Sequence, residues 1–148
     1  MARPPQGNDR DQVRSVALGL GELAVVNTYY LGLLENADDP KDRAARDAVG
    51  VIFPNQGDRG AHVNVSGAGI VKGAKNRPHA VALLEFLTSK EVQAGYQKMT
   101  SEFAVAKGVE PEQLQKNWGS FKPDFTSLHE LAEHQEEAVK IFDLAGWK

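Results

Sequence analysis

The stretch "ELAVVNTYYLGLLEN" (residues 22–36) decides the fold that we expect of this chain. Its first part, "ELAVVN" (22–27), is a short continuous apolar run of the kind that forms a strand buried on both faces. Asn27 or Thr28 can then cap a helical turn through "YYLGLLEN". Another helical pattern ends just before the run. A helix, a strand and a helix in such close succession predict an α/β layer with parallel strand pairing.

The segments on either side continue this alternation. Asn8 and Asp9 are N-cap residues for the preceding helix, with Gln12 completing an Asp-x-x-Gln box. "VGVIFP" (49–54) predicts a second buried strand. The alternation in "AHVNVSGAGIVKG" predicts a longer strand near 62–72, bent at its glycines. A chain of 148 residues with this pattern is sized for one domain.

The remaining segments predict helices. Asp39 caps a short one over "DDPKDRAARDA", and two more follow over "NRPHAVALLEFLTS" and, after a Thr88-x-x-Glu91 box, "SKEVQAGYQKM". "PEQLQKNW" predicts a short helix, and Ser127 with Glu130 opens the last one, "LHELAEHQEEAVKIFDLAGW". The apolar stripe of this last helix is expected to pack on a core. The stripe consists of Leu128, Leu131, Ala138, Ile141, Phe142 and Ala145.

Composition excludes several classes of function. A net charge of -3 and a pI near 5.8 argue against a nucleic-acid partner. The absence of cysteine excludes disulfides, thiolate metal sites and cysteine nucleophiles. No apolar run approaches the length of a membrane span. The opening "MARPPQGNDRDQ" has no apolar core of a secretory signal, and we expect the chain to be a piece of a longer protein.

Two of the three tyrosines, Tyr29 and Tyr30, stand side by side where the predicted strand gives way to a helix. At such a point adjacent side chains can converge, and ligands of open α/β sheets bind there. Asn27 and Thr28 would add hydrogen-bonding groups and helix N-terminal amides, a cradle for an anion. Two convergent phenols, with an ordinary pKa near 10, suit a strong Lewis acid such as Fe(III). Ordinary packing along a cleft explains the pair equally well at this stage.

The segment "HELAEH" (129–134) resembles a zinc-hydrolase motif without matching it. That motif needs histidines at i and i+4, but Glu133 occupies i+4 from His129 and His134 lies at i+5. The pairs His129/Glu133 and Glu130/His134 have a spacing that is common on solvated helix faces. A metal-dependent hydrolase is therefore the weakest alternative.

Three quoted stretches carry a family resemblance: "GNDRDQVRSVALGLGELAVVNTYYLGLL", "VGVIFPNQGDRGAHVNVSGAGIVKGAKN" and "LLEFLTSKEVQ". Together with the closing "LAEHQEEAVKIFDLAGW", they resemble the bacterial periplasmic ferric-ion-binding proteins, the substrate-binding components of iron(III) ABC transporters. The resemblance implies a type II, transferrin-like periplasmic-binding fold, with a mixed, mostly parallel sheet flanked by helices. It also implies a non-enzymatic periplasmic protein that delivers its ion to an inner-membrane permease.

The resemblance assigns roles to four residues. Tyr29 and Tyr30 match the family's tandem iron-ligating tyrosines, and Asn27 matches an asparagine that helps to hold a synergistic anion. Asp9 aligns with a second anion-site asparagine of some members. This replacement makes carbonate, or no anion, fit as well as phosphate. The same fold could also serve another anionic or metal-chelate solute, although such a site needs no adjacent phenols.

The resemblance covers only the C-terminal half of the family. Residues 1–148 are thus expected to form the C-terminal lobe, with a hinge-crossing strand near 62–72 and a C-terminal helical tail at 127–145. The N-terminal lobe, which supplies the other iron ligands, is the expected missing partner. Its absence would expose apolar surface and favour self-association of the chain.

Overall fold

The computed structural model describes residues 6–147 and is built from short helices. The described residues form two compact units. The first comprises everything described before Phe53 together with Asn64–Ser120, and the second comprises Phe53–Val63 and the described residues from Phe121 onward. The helices are α1 (Asp9–Ala17), α2 (Tyr29–Glu35), α3 (Pro40–Asp47), α4 (Arg77–Leu87), α5 (Lys90–Thr100), α6 (Gln113–Asn117), α7 (Leu128–Glu133) and α8 (Gln135–Leu144).

Helix α1 begins one residue earlier than its predicted capping box implies. The Asn8 side chain accepts hydrogen bonds from the amides of Arg10 at 3.0 Å and Asp11 at 3.3 Å. The Asp11 carboxylate accepts the Asn8 amide at 3.0 Å, so the box is Asn8–Asp11 rather than Asp9–Gln12. The cause is the backbone of Asn8, which is extended as an N-cap requires, whereas Asp9 is already helical.

The core of the first unit lies where α1, α2 and α3 pack together. Val13 and Leu31 are buried there, and Leu34 is fully buried. The Arg14 guanidinium joins α1 to α3 through two hydrogen bonds with Asp42, at 2.7 and 2.8 Å. As predicted, Asp39 caps α3 by accepting the Lys41 amide at 2.8 Å. This packing fixes the position of α2, on which the tandem tyrosines lie.

A second cap also differs from its prediction. Ser89, not Thr88, is the N-cap of α5, and its hydroxyl accepts the Val92 amide at 3.5 Å. The Thr88 hydroxyl instead donates back to the Leu84 carbonyl at 2.9 Å, because Thr88 still ends the preceding helix. At its other end, α5 stops at Ser101, which has a left-handed φ of 61°.

The predicted strands are not paired among the described residues. The segments 22–27, 49–54 and 62–72 form no ladder there, and the bridge assigned within residues 6–147 is an isolated parallel one between Ala61 and Pro123. Apolar side chains of the first segment are exposed, with Val25 at 96%. The expectation of burial on both faces is therefore wrong within the described residues. A strand needs a neighbour to bond to and layers to cover it, and residues 6–147 supply neither at these positions.

Backbone hydrogen bonds and a ring stack join the two segments of the second unit, Phe53–Val63 and the described residues from Phe121 onward. The Ala61 amide donates to the Lys122 carbonyl at 2.9 Å, and the Asp124 amide donates to the Ala61 carbonyl at 2.8 Å. Phe53 and Phe121 stack with ring centroids 4.3 Å apart. Gly60 has a φ of +106°, and a Cβ there would lie 2.6 Å from the Lys122 oxygen. Only glycine fits this crossing.

The predicted last helix is two helices with an uncovered apolar face. As predicted, Ser127 caps α7 and accepts the Glu130 amide at 3.1 Å, but α7 ends at Glu133 and α8 begins after His134. The expected packing of the stripe on a core is wrong within the described residues. Ile141 is 57% exposed and Phe142 is 52% exposed, because the described part of this unit contains no layer that covers them. No helix within residues 6–147 is long and apolar enough to cross a membrane.

Candidate functional site

The tandem tyrosines open helix α2 with their rings together. Tyr29 and Tyr30 are half-buried, and their ring centroids lie 4.2 Å apart with an interplanar angle of 30°. In a strand, neighbouring side chains would point to opposite faces. The first turn of a helix instead allows both phenols to face the same region, and the structure shows this arrangement.

The surroundings of Tyr29 favour the protonated form of its phenol. The pKa of Tyr29 is raised to about 12, first by its hydrogen bond with Tyr30 and then by burial. The negative charges of Asp9 and Glu102 act in the same direction. At neutral pH the Tyr29 phenol therefore keeps its proton unless a strongly polarising cation displaces it.

Asp9 lies close to the residues just before helix α2, which carries the two tyrosines. Its carboxylate accepts the backbone amide of Asn27 at 3.4 Å, which joins the start of α1 to the residue two positions before Tyr29. Asp9 can do this because Asn8, and not Asp9, is the cap of α1. A carboxylate at this place adds negative potential, which favours a cation over a free anion.

Asn27 has a second neighbour that sequence reasoning missed. The Asn64 side-chain amide donates to the Asn27 side-chain oxygen at 3.4 Å. With that oxygen engaged, the NH₂ group of Asn27 remains as the donor that can meet an oxyanion. The two residues are 37 positions apart, so no local pattern could have indicated the contact.

The amides at the start of α2 are largely occupied. The Tyr30 amide donates to the Asn27 carbonyl at 3.2 Å, and the Leu31 amide donates to the Thr28 carbonyl at 3.0 Å. Thr28 stands at the N-cap position, but its side chain makes no capping hydrogen bond with the described residues. An anion here would thus depend on side chains such as Asn27 more than on the predicted cradle of amides.

The histidines of "HELAEH" form surface pairs. His129 Nε2 lies 3.3 Å from Glu133 Oε1, and both side chains are exposed. His134 lies 3.8 Å from Glu137 rather than pairing with Glu130. No group of three or more His, Cys, Asp or Glu side chains in residues 6–147 is arranged to hold a metal ion. The hydrolase alternative has no structural support.

Comparison with known proteins defines the class. Residues 11–123 match the family model described as bacterial extracellular solute-binding protein. The chain belongs to this family, which confirms the prediction of a binding protein rather than an enzyme.

The particular relatives are iron proteins. The chain is 46% identical over 147 residues to iron uptake protein A1 of Synechocystis, covering 99% of this chain and 41% of that one. It is 38% identical over 149 residues to iron uptake protein A2 of the same organism, covering 99% and 43%. The chain thus spans less than half the length of the curated relatives it matches, which confirms the resemblance to half of a ferric-ion-binding protein.

Similar solved structures identify the fold class of this chain. A Trichodesmium protein in complex with iron and citrate matches with a TM-score of 0.94 and 42% identity, covering 100% of this chain and 47% of that one. The ferric binding protein of Campylobacter jejuni matches with a TM-score of 0.91 and 42% identity, covering 100% and 47%. These likenesses confirm the predicted α/β, type II periplasmic-binding fold class, although residues 6–147 show no paired strands beyond the Ala61–Pro123 bridge.

Proposed function

We propose that this chain is the C-terminal half of an iron(III)-binding protein and that Tyr29 and Tyr30 ligate the ion as phenolates. The observation that carries the proposal is the pairing of the two half-buried rings, with centroids 4.2 Å apart, at the start of α2. Phenolate oxygens are hard, negatively charged donors, and ferric iron is the common cation that is acidic enough to take them at neutral pH. The iron-binding relatives support iron as the ion.

The surrounding charges also suit a cation. Asp9 and Glu102 place negative potential at Tyr29, which hinders loss of the phenol proton in the free protein but favours a trivalent ion at the same place. Binding then exchanges protons for metal. Affinity should fall as the pH falls, because protons compete for the two phenolates.

An anion completes the proposed site. Two phenolates leave several positions of a six-coordinate ion to other donors. The side-chain NH₂ group of Asn27, two residues before Tyr29, can donate to a carbonate, phosphate or citrate bound there. One relative holds iron together with citrate. Asp9, the other predicted anion residue, is itself an anion, so we assign it to the cation side of the site.

The rest of the proposal concerns the whole protein. Residues 1–148 would form the C-terminal lobe, with 62–72 running toward the hinge and the tail at 127–145 lying against the N-terminal lobe; residues 1–5 and 148 lie outside the described part. The exposed apolar faces of α4 and α8 would be covered by that lobe in the longer relatives or would drive self-association without it. In this role the protein works in the periplasm and delivers iron to an ABC permease.

A visible titration with ferric citrate tests the ligand assignment. Wild type should develop a tyrosinate-to-iron charge-transfer band, and the Tyr29→Phe plus Tyr30→Phe variant should lose it. Tyr96→Phe is the matched control, because Tyr96 is the third tyrosine and lies on α5 with 46% exposure. The proposal fails if the double variant keeps the band, or if wild type shows none.

A further inference from the structure

Asn27 is hydrogen-bonded to three separate parts of the first unit. Its backbone carbonyl accepts the Tyr30 amide at 3.2 Å, which ties it to the first turn of α2. Its backbone amide donates to the Asp9 carboxylate of α1 at 3.4 Å. Its side-chain oxygen accepts the Asn64 side-chain amide at 3.4 Å. All three partners lie in the same compact unit, so these contacts hold Asn27 next to the residues that carry the phenols.

The contact with Asn64 decides which end of the Asn27 side chain is available to a ligand. A carboxamide has an oxygen that accepts and an NH₂ group that donates, and rotation about its last bond exchanges the two. The backbone contacts of Asn27 do not restrict this rotation. A donor opposite the oxygen does restrict it, because the NH₂ group must then lie on the other side. Among the described residues, that NH₂ group has no hydrogen-bond partner.

Packing does not account for an asparagine at position 64. The Asn64 side chain is exposed and lies in a segment that pairs with no other strand among the described residues. Its one hydrogen bond within the described part of the chain is the bond to Asn27, which is half-buried. An exposed side chain with a single contact of this length contributes little to the free energy of unfolding. The effect of Asn64 on the orientation of Asn27 is therefore its main consequence.

We propose that Asn64 is a positioning residue of the anion site. By donating to the Asn27 side-chain oxygen, it presents the Asn27 NH₂ group to the oxyanion that completes the coordination of the ferric ion. It acts through Asn27 and touches neither the anion nor the iron. This inference rests on the proposed function, since it presupposes iron at the tyrosine pair and an anion at Asn27. It adds to that function a residue 37 positions further along the chain that determines how strongly the anion supports iron binding.

The anion gain, defined as the ratio of the ferric affinities with and without an added anion, measures this role. Iron is supplied as ferric nitrilotriacetate in bicarbonate-free buffer, and binding is followed by the tyrosinate-to-iron charge-transfer band. Bicarbonate, phosphate and citrate are added in separate experiments. The measurement is made on wild type and on variants at position 64.

Two substitutions of Asn64 should lower the anion gain to different extents. The carboxylate of Asn64→Asp can only accept, so it engages the Asn27 NH₂ group and should lower the gain about tenfold, the effect of one hydrogen bond to a charged group. Asn64→Leu removes the donor without adding charge and should lower the gain about two- to threefold, because a free carboxamide must be ordered when the anion binds. The matched control is Asn76→Leu, at the exposed N-cap position of α4, where the side chain makes no capping hydrogen bond with the described residues. It should keep the wild-type gain.

A double-mutant cycle with Asn27→Ala separates positioning from added charge. In the Asn27→Ala background, Asn64→Leu should have no further effect on the anion gain, since the side chain that Asn64 positions is gone. Asn64→Asp should there lower the gain only by the part that is due to its negative charge, and high salt should screen that part. Far-UV circular dichroism checks that each variant folds.

The outcomes distinguish this inference from the proposed function. A wild-type anion gain in Asn64→Asp overturns the inference. So does a loss of equal size with and without the Asn27 side chain, since Asn64 would then act independently of Asn27. A wild type that shows the band but no gain with any of the three anions also overturns it and leaves the tyrosine ligands in place. Absence of the band in wild type contradicts the proposed function itself, and the inference with it.

Discussion

Helices α1 and α2 in the first unit and α7 and α8 in the second carry the same kind of sequence signals but different degrees of burial. Side-chain caps precede both regions, at Asn8 and Ser127, and apolar residues recur at helical spacing in each. In the first region Leu34 is fully buried. In the second, Ile141 is more than half exposed.

The difference shows which property each signal controls. Capping and spacing determine that a helix forms and where it starts, and in both regions helices form. Burial depends on a second surface that the local sequence cannot supply. For α1 and α2 that surface is α3, which lies within the same unit. For α7 and α8 the described residues hold no such surface, and the longer relatives contain more than twice the length of this chain.

The largest contrast should come from truncating one apolar side chain in each region. Leu34→Ala should lower the free energy of unfolding by about 3 kcal/mol, because it removes a fully buried side chain. Ile141→Ala, at a 57% exposed position, should change it by less than about 0.5 kcal/mol. Urea unfolding followed by Trp118 fluorescence, in a Trp147→Phe background, measures the effect of Leu34→Ala. Urea unfolding followed by far-UV circular dichroism measures the effect of Ile141→Ala. Equal losses would mean that the α8 face is covered in solution.

A smaller contrast lies between two helical glycines of the first unit. Gly32→Ala should destabilise by about 2 kcal/mol, since its Cβ overlaps Ser101. Gly95→Ala on α5 should instead stabilise by about 0.5 to 1 kcal/mol, because beyond its chain neighbours and its own helix backbone no described atom lies within 4 Å of the new Cβ, and alanine favours a helix. Thermal unfolding of the two variants gives the comparison. A neutral Gly32→Ala would show that the contact with Ser101 is loose.

The smallest expected effect is the pH dependence of the link between α1 and α3. Hydrogen bonds from Arg14 lower the pKa of Asp42 below its unfolded value of 3.8. A lowered pKa in the folded state contributes stability that is present above pH 4 and is lost as the pH falls through the folded value. Asp42→Asn should therefore be less stable than wild type at pH 7, and the two should converge as the pH falls below 3.8 and through the folded value.

Urea titrations across this pH range measure that convergence. Asp143→Asn, an exposed position on α8, removes the same charge and should show little difference from wild type at any pH. A gap between wild type and Asp42→Asn that stays constant from pH 7 to pH 3 would contradict the assignment of the Arg14 link.

The sequence was sufficient for the local features of the site. The Tyr29–Tyr30 pair, the helix that begins there and the adjacent Asn27 are all read from one short segment, and Asp9 came from the resemblance. Asn64 was missed because its hydrogen bond with this segment is long-range. Nothing in "HVNV" distinguishes it from an ordinary polar position. Only the folded chain brings it to Asn27.

The predicted strands show a second limit of prediction from sequence. "ELAVVN" and "VGVIFP" have the composition of buried strands. A strand, however, is defined by hydrogen bonds to a neighbour, and the described residues leave both segments unpaired. Apolar composition indicates a tendency to form a strand, but pairing and burial need neighbours that residues 6–147 do not supply at these positions.

Resonance Raman spectroscopy of the ferric complex tests the central claim most directly. Excitation in the visible band should enhance tyrosinate ring vibrations that shift when the protein carries ring-deuterated tyrosine. These bands should persist in Tyr96→Phe and vanish in the Tyr29→Phe plus Tyr30→Phe variant. Bands that do not shift on labelling, or that survive in the double variant, would contradict ligation of iron by Tyr29 and Tyr30.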